Sequence, residues 1–263
     1  MLTDMEIQTE REHYVVMRNE LINDMEYKLS RQQLLLLRYM IKQIKPEDKP
    51  EQNYTITIKA FCQIIGITDG GRNYHDIKKN LNLIDNQTRW LESVDTIERI
   101  KWFNRLRIRK KDGTIEYSFH ESITEYLFNL IHSKEGYTKY HFDEIVVMDT
   151  KYGIRLYEFV REHLNMGHRY VNIPIEDLKG ILGGTNYKTF KDFRRNILDK
   201  AIEEVNQYSI ISVKGEGKAK KGERAFSYVR FEIESTLTNG DSEEYWYRSD
   251  NMSIKLTGKP VIY

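Results

Sequence analysis

The sequence predicts an α+β fold made of two copies of one unit, and an internal repeat is the main reason. Residues 54–67 (YTITIKAFCQIIGI) and 170–184 (YVNIPIEDLKGILGG) place apolar and glycine residues at matching positions, offset by 117. A second match follows at offset 113, where Tyr74 and Tyr187 stand near the start of a longer helical pattern. Both copies end in strand patterns joined by polar turns. Repetition of one supersecondary unit predicts two similar domains.

An amphipathic helix pattern precedes each copy. In residues 30–44, Ser30 is the predicted N-cap, and leucine, methionine and isoleucine recur on one face. In residues 149–164, Asp149 is the predicted N-cap, and aromatic and aliphatic residues share one face. Each copy therefore begins with a helix that has an apolar side for a core.

The repeated segment predicts a short strand, a short helix, a glycine-containing turn and a longer helix, the last three being the order of a helix-turn-helix. Strand patterns follow at 89–93, 96–110 and 113–120 in the first copy and at 209–217 and 224–234 in the second. Three helices followed by a β-hairpin are the pattern of a winged helix. The predicted fold is therefore α+β, with tandem winged-helix domains.

The domain boundaries follow from these elements. We expect an N-terminal arm at 1–19 and a first winged-helix domain at 20–135, which contains a polar loop at 45–53. A second winged-helix domain is expected at 140–235. Residues 236–263 form an acidic and then mixed tail without clear periodicity, which predicts a flexible segment.

Composition excludes several classes of protein. The chain has 263 residues, of which 40% are hydrophobic and 31% charged, a profile typical of soluble globular proteins. Its longest aliphatic run, residues 34–37, is too short to span a bilayer, and the N-terminus has no apolar signal core. The single cysteine, Cys62, excludes an internal disulfide framework and a multi-cysteine metal site. These features predict a cytoplasmic protein without membrane contact.

The distribution of charge is more informative than the net charge of +1. Residues 186–230 contain eleven Lys and Arg against six Asp and Glu, whereas residues 232–251 contain six acids and one Arg. A basic module followed by an acidic segment favours a DNA-binding face in the basic module and an acidic segment that takes no part in DNA binding. An ordinary uneven surface is the alternative.

The segment 186–206 predicts a helix with one apolar and one basic side. Its predicted buried stripe is Phe190, Phe193, Ile197, Ala201 and Val205. In a helix-turn-helix the second helix enters the major groove, where Lys and Arg donate to guanine and Asn bridges adenine. A basic face that only meets solvent is the alternative. The predicted DNA contacts here are Asn186, Tyr187, Lys188, Thr189, Lys191, Arg194 and Arg195.

A lysine-rich loop at 215–224 forms the tip of the second predicted hairpin. Cations on such a wing suit phosphate contacts, which add affinity and salt dependence but little sequence reading. The alternative is a loop kept soluble by charge. The predicted wing contacts are Lys218, Lys220, Lys221 and Arg224. The strands of the first domain carry cations that either contact phosphates or line one exposed side of a sheet. These are Arg99, Lys101, Arg105, Arg107, Arg109, Lys110 and Lys111.

Catalytic motifs are missing from the sequence. It contains no His-x-His pair, no His-Glu-x-x-His and no Gly-x-x-x-x-Gly-Lys loop. Residues 74–78 and 187–191 match the Tyr-x-x-x-Lys spacing of rolling-circle nicking enzymes, but the partner His-x-His metal site is missing. Both tyrosines are therefore interpreted as helix-start residues. We predict no enzyme activity, catalytic residue, metal or cofactor, and Cys62 is interpreted as a buried small hydrophobe.

Three runs, in this order and spacing, carry a family resemblance. They are MRNELINDMEYKLSRQQLLLLRYMIKQI, YGIRLYEFVREHL, and the run from Tyr187 to Ile233 with its Phe-x-x-Phe-Arg-Arg core. Over residues 17–235 the chain resembles the initiator Rep proteins of iteron-type theta-replicating plasmids. It departs from that pattern at Gly153, where the family often has Ser, and at Val205, where it often has Ile.

The resemblance implies a function. The second winged helix would read directly repeated iterons in double-stranded plasmid origin DNA, and the first would carry the dimer interface and weaker DNA contacts. Monomers would open the origin and recruit the host replication initiator and replicative helicase, while dimers would repress the gene. Trp102, Phe103 and Leu106 are candidates for the dimer interface, or else core residues.

Two other functions remain open from the residues alone. A tandem winged-helix transcription regulator would have the same basic helix and wing, but would bind one palindrome as a stable dimer. A protein-interaction module would present the basic face to an acidic partner. Specific binding to duplex DNA would exclude the protein-interaction module. Tandem repeats of the target sequence would favour an initiator over a transcription regulator.

Overall fold

The computed structural model divides the chain into two compact units, with the division between Val146 and Val147. The residues it describes are 3, 5–7, 13–23, 28–67, 72–87, 89–92, 97–130 and 136–236. The predicted tail beyond residue 236 lies outside these residues. Within the described part, no helix combines the length and apolar character needed to cross a membrane.

Unit 1 contains the first predicted winged helix. Its helices are α1 (Glu20–Asn23), α2 (Arg31–Ile41), α3 (Ile58–Ile64), α4 (Arg72–Asp85), α5 (Glu121–Thr124) and α6 (Asp143–Val146). Its strands are β1 (Tyr14–Arg18), β2 (Tyr54–Thr57), β3 (Arg89–Glu92), β4 (Ile97–Ile100), β5 (Phe103–Arg109), β6 (Thr114–Phe119) and β7 (Tyr137–His141). The three-stranded antiparallel sheet has the order β2-β6-β5. The strand before α3 thus pairs with the second strand of the hairpin.

Helix α2 forms the centre of the unit 1 core. Ser30 is its N-cap and makes a capping box with Gln33, as the sequence predicts for Ser30. All residues from Leu34 to Leu37 are fully buried, so this helix has apolar contacts on nearly every side. The corresponding prediction for unit 2 is wrong by one residue, because Thr150 and not Asp149 is the N-cap there.

The strand predicted at 96–110 is two strands in different sheets, β4 and β5. Trp102 and Phe103 are both buried, and adjacent residues of one regular strand point to opposite faces. The chain therefore bends at this point, where the Trp102 carbonyl accepts from the His120 amide at 3.0 Å. Because Trp102 and Phe103 belong to the core, they do not form an exposed dimer surface, whereas Leu106 is partly exposed.

Part of the predicted N-terminal arm is a strand of unit 1. Strand β1 pairs antiparallel with β7, so that Tyr14 lies opposite His141 and Arg18 opposite Tyr137. Val15 and Met17 are fully buried. Unit 1 therefore contains β1, which precedes the predicted first domain at 20–135, and β7, which follows it.

Unit 2 repeats this arrangement. It contains α7 (Lys151–Asn165), β8 (Tyr170–Pro174), α8 (Ile175–Leu182), α9 (Phe190–Phe193), a π-helical turn (Arg194–Leu198), α10 (Asp199–Tyr208), β9 (Ile211–Lys218) and β10 (Tyr228–Ser235). Its sheet has the order β8-β10-β9, which corresponds strand by strand to β2-β6-β5. Gly66 and Gly183, paired in the sequence repeat, both have φ of +73°. The repeat thus preserves the left-handed turn after the short helix, which favours glycine.

Gly153, the departure from the family resemblance, has a structural reason. A Cβ at this position would lie 2.2 Å from Oε2 of Glu204 and 3.0 Å from its Cβ. The buried Glu204 carboxylate accepts from the Thr150 amide at 3.1 Å, and burial raises its pKa. Helix α10 therefore packs on α7 with a glutamate in the space that a serine side chain would need.

A histidine pair at the end of α7 predicts a pH dependence of stability. Nδ1 of His163 lies 3.3 Å from Nδ1 of His168, and burial, followed by the nearby His168, lowers the pKa of His163 from 6.5 to about 4. Between these pH values the unfolded chain binds a proton that the folded chain does not. We expect the free energy of unfolding to fall as the pH drops from 6.5 to 4. The decrease should be smaller in His163→Leu than in wild type.

Thermal unfolding at pH 7.5 and 5 measures this dependence. His75→Leu is the control, because the His75 side chain is 82% exposed. An equal pH dependence in wild type and His163→Leu would contradict the prediction.

Candidate nucleic-acid interface

The second helix of the unit 2 helix-turn-helix comprises α9, the π-helical turn and α10, and is called the basic helix (residues 190–208). Its N-cap is Thr189, whose Oγ1 accepts from the Asp192 amide at 3.1 Å. The prediction that this helix begins at Tyr187 is wrong by three residues, because the N-cap at Thr189 makes Phe190 the first helical residue. Asn186, Tyr187 and Lys188 therefore lie in the turn that leads into the helix and not on its exposed face.

The π-helical turn explains how most of the predicted apolar stripe stays buried, although Phe190, its first member, is only half-buried. Residues that recur every four positions drift by about 40° per step around an α-helix, because four residues exceed one turn of 3.6. A π-helical turn contains more residues and offsets part of that drift. The stripe members Phe193, Ile197, Ala201 and Val205, at four-residue steps, are all fully buried. The repeated step of four was the sequence signal for this turn.

A buried arginine of α7, paired with a glutamate on the same helix, connects α7 to the helix-turn-helix. Arg155 Nη1 donates to Glu158 Oε2 at 2.7 Å, and Arg155 Nε donates to the Ile181 carbonyl at 3.2 Å. The two charged side chains are 2% and 0% exposed. The last carbonyls of a helix have no partner within the helix, so Arg155 satisfies one of them at the end of α8. This pair therefore positions the turn before the basic helix.

The cations predicted to contact DNA fall into two groups. Three have acidic partners: Arg195 with Asp192 at 3.3 Å, Arg194 with Asp199 at 3.0 Å, and Lys218 with Glu216 at 2.5 Å. Five make no ion pair with any residue that the structure describes: Lys188, Lys191, Lys220, Lys221 and Arg224. A phosphate must compete with a carboxylate for the first group, whereas the second group is available to it.

The wing loop (residues 219–227) is joined to the basic helix by aromatic contact. The rings of Phe190 and Phe226 meet edge to face, with centroids 5.7 Å apart. Within the loop, the Lys220 amide donates to Ser227 Oγ at 3.2 Å and the Ser227 amide donates to the Lys218 carbonyl at 2.9 Å. The end of the wing loop at Phe226 therefore lies beside the first turn of the helix. Phe226 is not among the contacts predicted from the sequence.

Unit 1 has a basic strand face of its own. Side chains of Arg105, Arg107 and Arg109 on β5 are about half exposed and surround Glu116 of β6. The hydrogen bond from Arg109, in particular, lowers the pKa of Glu116. Three arginines that share one carboxylate leave a net positive surface.

The Asp192 carboxylate on the basic helix predicts a gain in nonspecific affinity when it is neutralised. Asp192→Asn keeps the side-chain shape and an oxygen that accepts from Thr189, but removes the charge that competes with phosphate for Arg195. We expect the affinity for scrambled duplex to rise about threefold to fivefold. Fluorescence anisotropy measures it, with Glu203→Gln on the same helix as control. An unchanged affinity for scrambled duplex would contradict this expectation.

Comparison with known proteins agrees with the two-unit architecture. Residues 14–161 match the family described as "Initiator Replication protein, WH1", and residues 174–233 match "Initiator Rep protein, WH2". The prediction of an α+β fold with tandem winged-helix domains is thereby confirmed. The first match extends into α7, which the structure assigns to unit 2.

Two curated proteins of Escherichia coli are similar to this chain. The PI protein is 26% identical over 182 residues, which are 64% of this chain and 58% of the relative. A replication initiation protein is 20% identical over 224 residues, 83% of this chain and 66% of the relative. The chain thus spans 58% and 66% of their lengths.

A solved structure has a similar fold. The crystal structure of Pi initiator protein in complex with iteron DNA matches with a TM-score of 0.71 at 19% sequence identity. The match covers 85% of this chain and 97% of that chain.

Proposed function

The chain belongs to the family of initiator replication proteins with two winged-helix domains, and on this premise we propose that it starts replication by binding repeated sequences in duplex origin DNA. The repeats are iterons of the DNA molecule that encodes the protein. In this proposal the protein acts in the cytoplasm. It binds and opens the origin and recruits the replication machinery, without catalysing a reaction.

The observation that carries the proposal is the group of five cations without acidic partners among the described residues. They are located at the start of the basic helix and in the wing loop, the two parts of a winged helix that meet the major groove and the backbone. Lys191 is the cation nearest the helix start and is suited to a base edge. Lys220, Lys221 and Arg224 are suited to phosphates, which supply affinity and a steep salt dependence.

Further parts of the interface are assigned by the same reasoning. Thr189 exposes the helix cap at the groove, and Arg194 and Arg195 contact DNA after their carboxylate partners are displaced. Asn186, Tyr187 and Lys188 approach the backbone from the turn, and Lys218 approaches it from the end of β9.

The roles of unit 1 belong to the same proposal. Its surface of Arg105, Arg107 and Arg109 is suited to auxiliary phosphate contacts, because these side chains are about half exposed. The family resemblance supports a monomer–dimer equilibrium, repression by the dimer, and recruitment of the host initiator and replicative helicase. Mass photometry with and without the repeats tests the equilibrium.

Binding to repeat-containing origin duplex tests the main proposal. The purified chain is titrated into duplexes with one, two and four repeats and into scrambled duplex, at about 150 mM salt, because affinity without a stated salt concentration cannot be compared. We expect one additional complex for each additional repeat. A single complex on one palindrome would favour a transcription regulator, and equal affinity for scrambled DNA would favour a protein-interaction module.

A further inference from the structure

Phe226 is a large aromatic side chain that the fold of unit 2 leaves uncovered. Its side chain is 56% exposed, although burying an aromatic ring is among the larger gains available to a core. The ring contacts Phe190, the first residue of the basic helix, edge to face, and its Cγ lies close to Gly217 of β9. The position is therefore fixed by two neighbours while more than half of the residue stays exposed.

Because Gly217 has no side chain, the rings of Phe190 and Phe226 can lie close to the backbone of β9. A Cβ on Gly217 would lie 2.7 Å from Cε1 of Phe190 and 3.1 Å from Cγ of Phe226. Contacts below 3.0 Å require a neighbour to move, so any side chain here would displace Phe190. The two rings thus rest directly on the strand, which restricts the orientation in which Phe226 is presented.

The exposed ring lies on the same two segments as the cations without acidic partners. Phe190 precedes Lys191 in the helix, and Phe226 precedes Ser227, whose Oγ accepts from the Lys220 amide. Segments that carry both an exposed ring and cations suit a ligand that combines negative charge with apolar groups. In the DNA major groove, the thymine C5-methyl group is such an apolar group, and phenylalanine is one of the side chains that contact it.

We propose that Phe226 is a specificity-determining residue that contacts a thymine methyl group at the edge of the major groove. The inference rests on the proposed function, because it requires the basic helix to enter that groove. Contact with the helix favours this site over insertion into the minor groove from the wing tip, since Phe226 packs against Phe190 in the first helical turn.

The test combines protein variants with thymine-to-deoxyuridine substitution, which removes only the methyl group. Phe226→Ala should bind the repeats roughly tenfold more weakly while its affinity for scrambled duplex changes little. For wild type, deoxyuridine at one position of the repeat should weaken binding about fourfold, the effect of one buried methyl group. For Phe226→Ala, the same substitution should have no further effect.

Two controls separate contact from folding. Phe226→Leu keeps an apolar side chain against Phe190 and should retain most of the affinity. Tyr170→Ala removes another exposed aromatic residue, 66% exposed, from the end of β8 that pairs with Glu232, and should bind like wild type. Thermal unfolding of each variant verifies the fold.

The outcomes are distinct. Loss in Phe226→Ala with coupling to one deoxyuridine position supports the proposal. Loss without coupling at any position would show that Phe226 only supports Phe190, and wild-type binding by Phe226→Ala would show no role; both overturn it. If wild type itself does not prefer the repeats, the proposed function fails and the inference with it.

Discussion

Arg155→Met should lower the free energy of unfolding of unit 2 by about 3–5 kcal/mol, because it removes one member of the buried ion pair that Arg155 forms with Glu158. Glu158 is fully buried, and Arg155 also holds the Ile181 carbonyl at the end of α8. Urea denaturation followed by far-UV circular dichroism measures the change. The reduced fraction of folded unit 2 should weaken repeat binding in proportion.

The double variant separates the ion pair from general packing. Arg155→Met combined with Glu158→Leu replaces the pair with apolar groups and should recover most of the lost stability, because buried ion pairs often exchange for packed hydrophobic residues at little net change. Arg169→Met at an exposed position is the matched control and should change stability by less than about 0.5 kcal/mol. A small effect of Arg155→Met alone would contradict the positioning role.

Lys191→Ala should weaken binding to the repeats by about tenfold to a hundredfold while binding to scrambled duplex changes far less. Lys191 is exposed, lies in the first turn of the basic helix and has no acidic partner among the described residues. Arg195→Ala should have a smaller effect, because Arg195 already interacts with Asp192 and must give up that contact to bind DNA. Electrophoretic mobility shift with competitor DNA measures both ratios.

Lys200→Ala is the matched control for Lys191→Ala. Lys200 is exposed on the same helix but lies ten residues from Phe190, away from the end that meets the groove. An equal loss of affinity for repeats and scrambled DNA in Lys191→Ala would place Lys191 among the phosphate contacts. A loss in Lys200→Ala as large as that in Lys191→Ala would move the reading surface along the helix.

Much of the fold and part of the candidate site could be predicted from sequence. The repeat predicted two like domains because each copy keeps its apolar positions and its glycine turn, as Gly66 and Gly183 show. Basic residues of the helix and wing were identified because charge clusters in the chain. Phe226 was missed because an isolated aromatic residue carries no period, and its exposure depends on a contact with Phe190, 36 residues away.

Local periodicity and composition were enough to predict the two-unit plan, the core helix of unit 1 and the basic character of residues 186–230. The structure was needed to show which cations remain available, because Asp192, Asp199 and Glu216 lie only two to five residues from the cations they pair with, and side-chain geometry selects these pairs among several local possibilities. It also decided that β1 pairs with β7 across more than 100 residues and that Trp102 turns the chain into a second sheet. Pairing and burial between distant residues depend on how the whole chain packs, which no local pattern records.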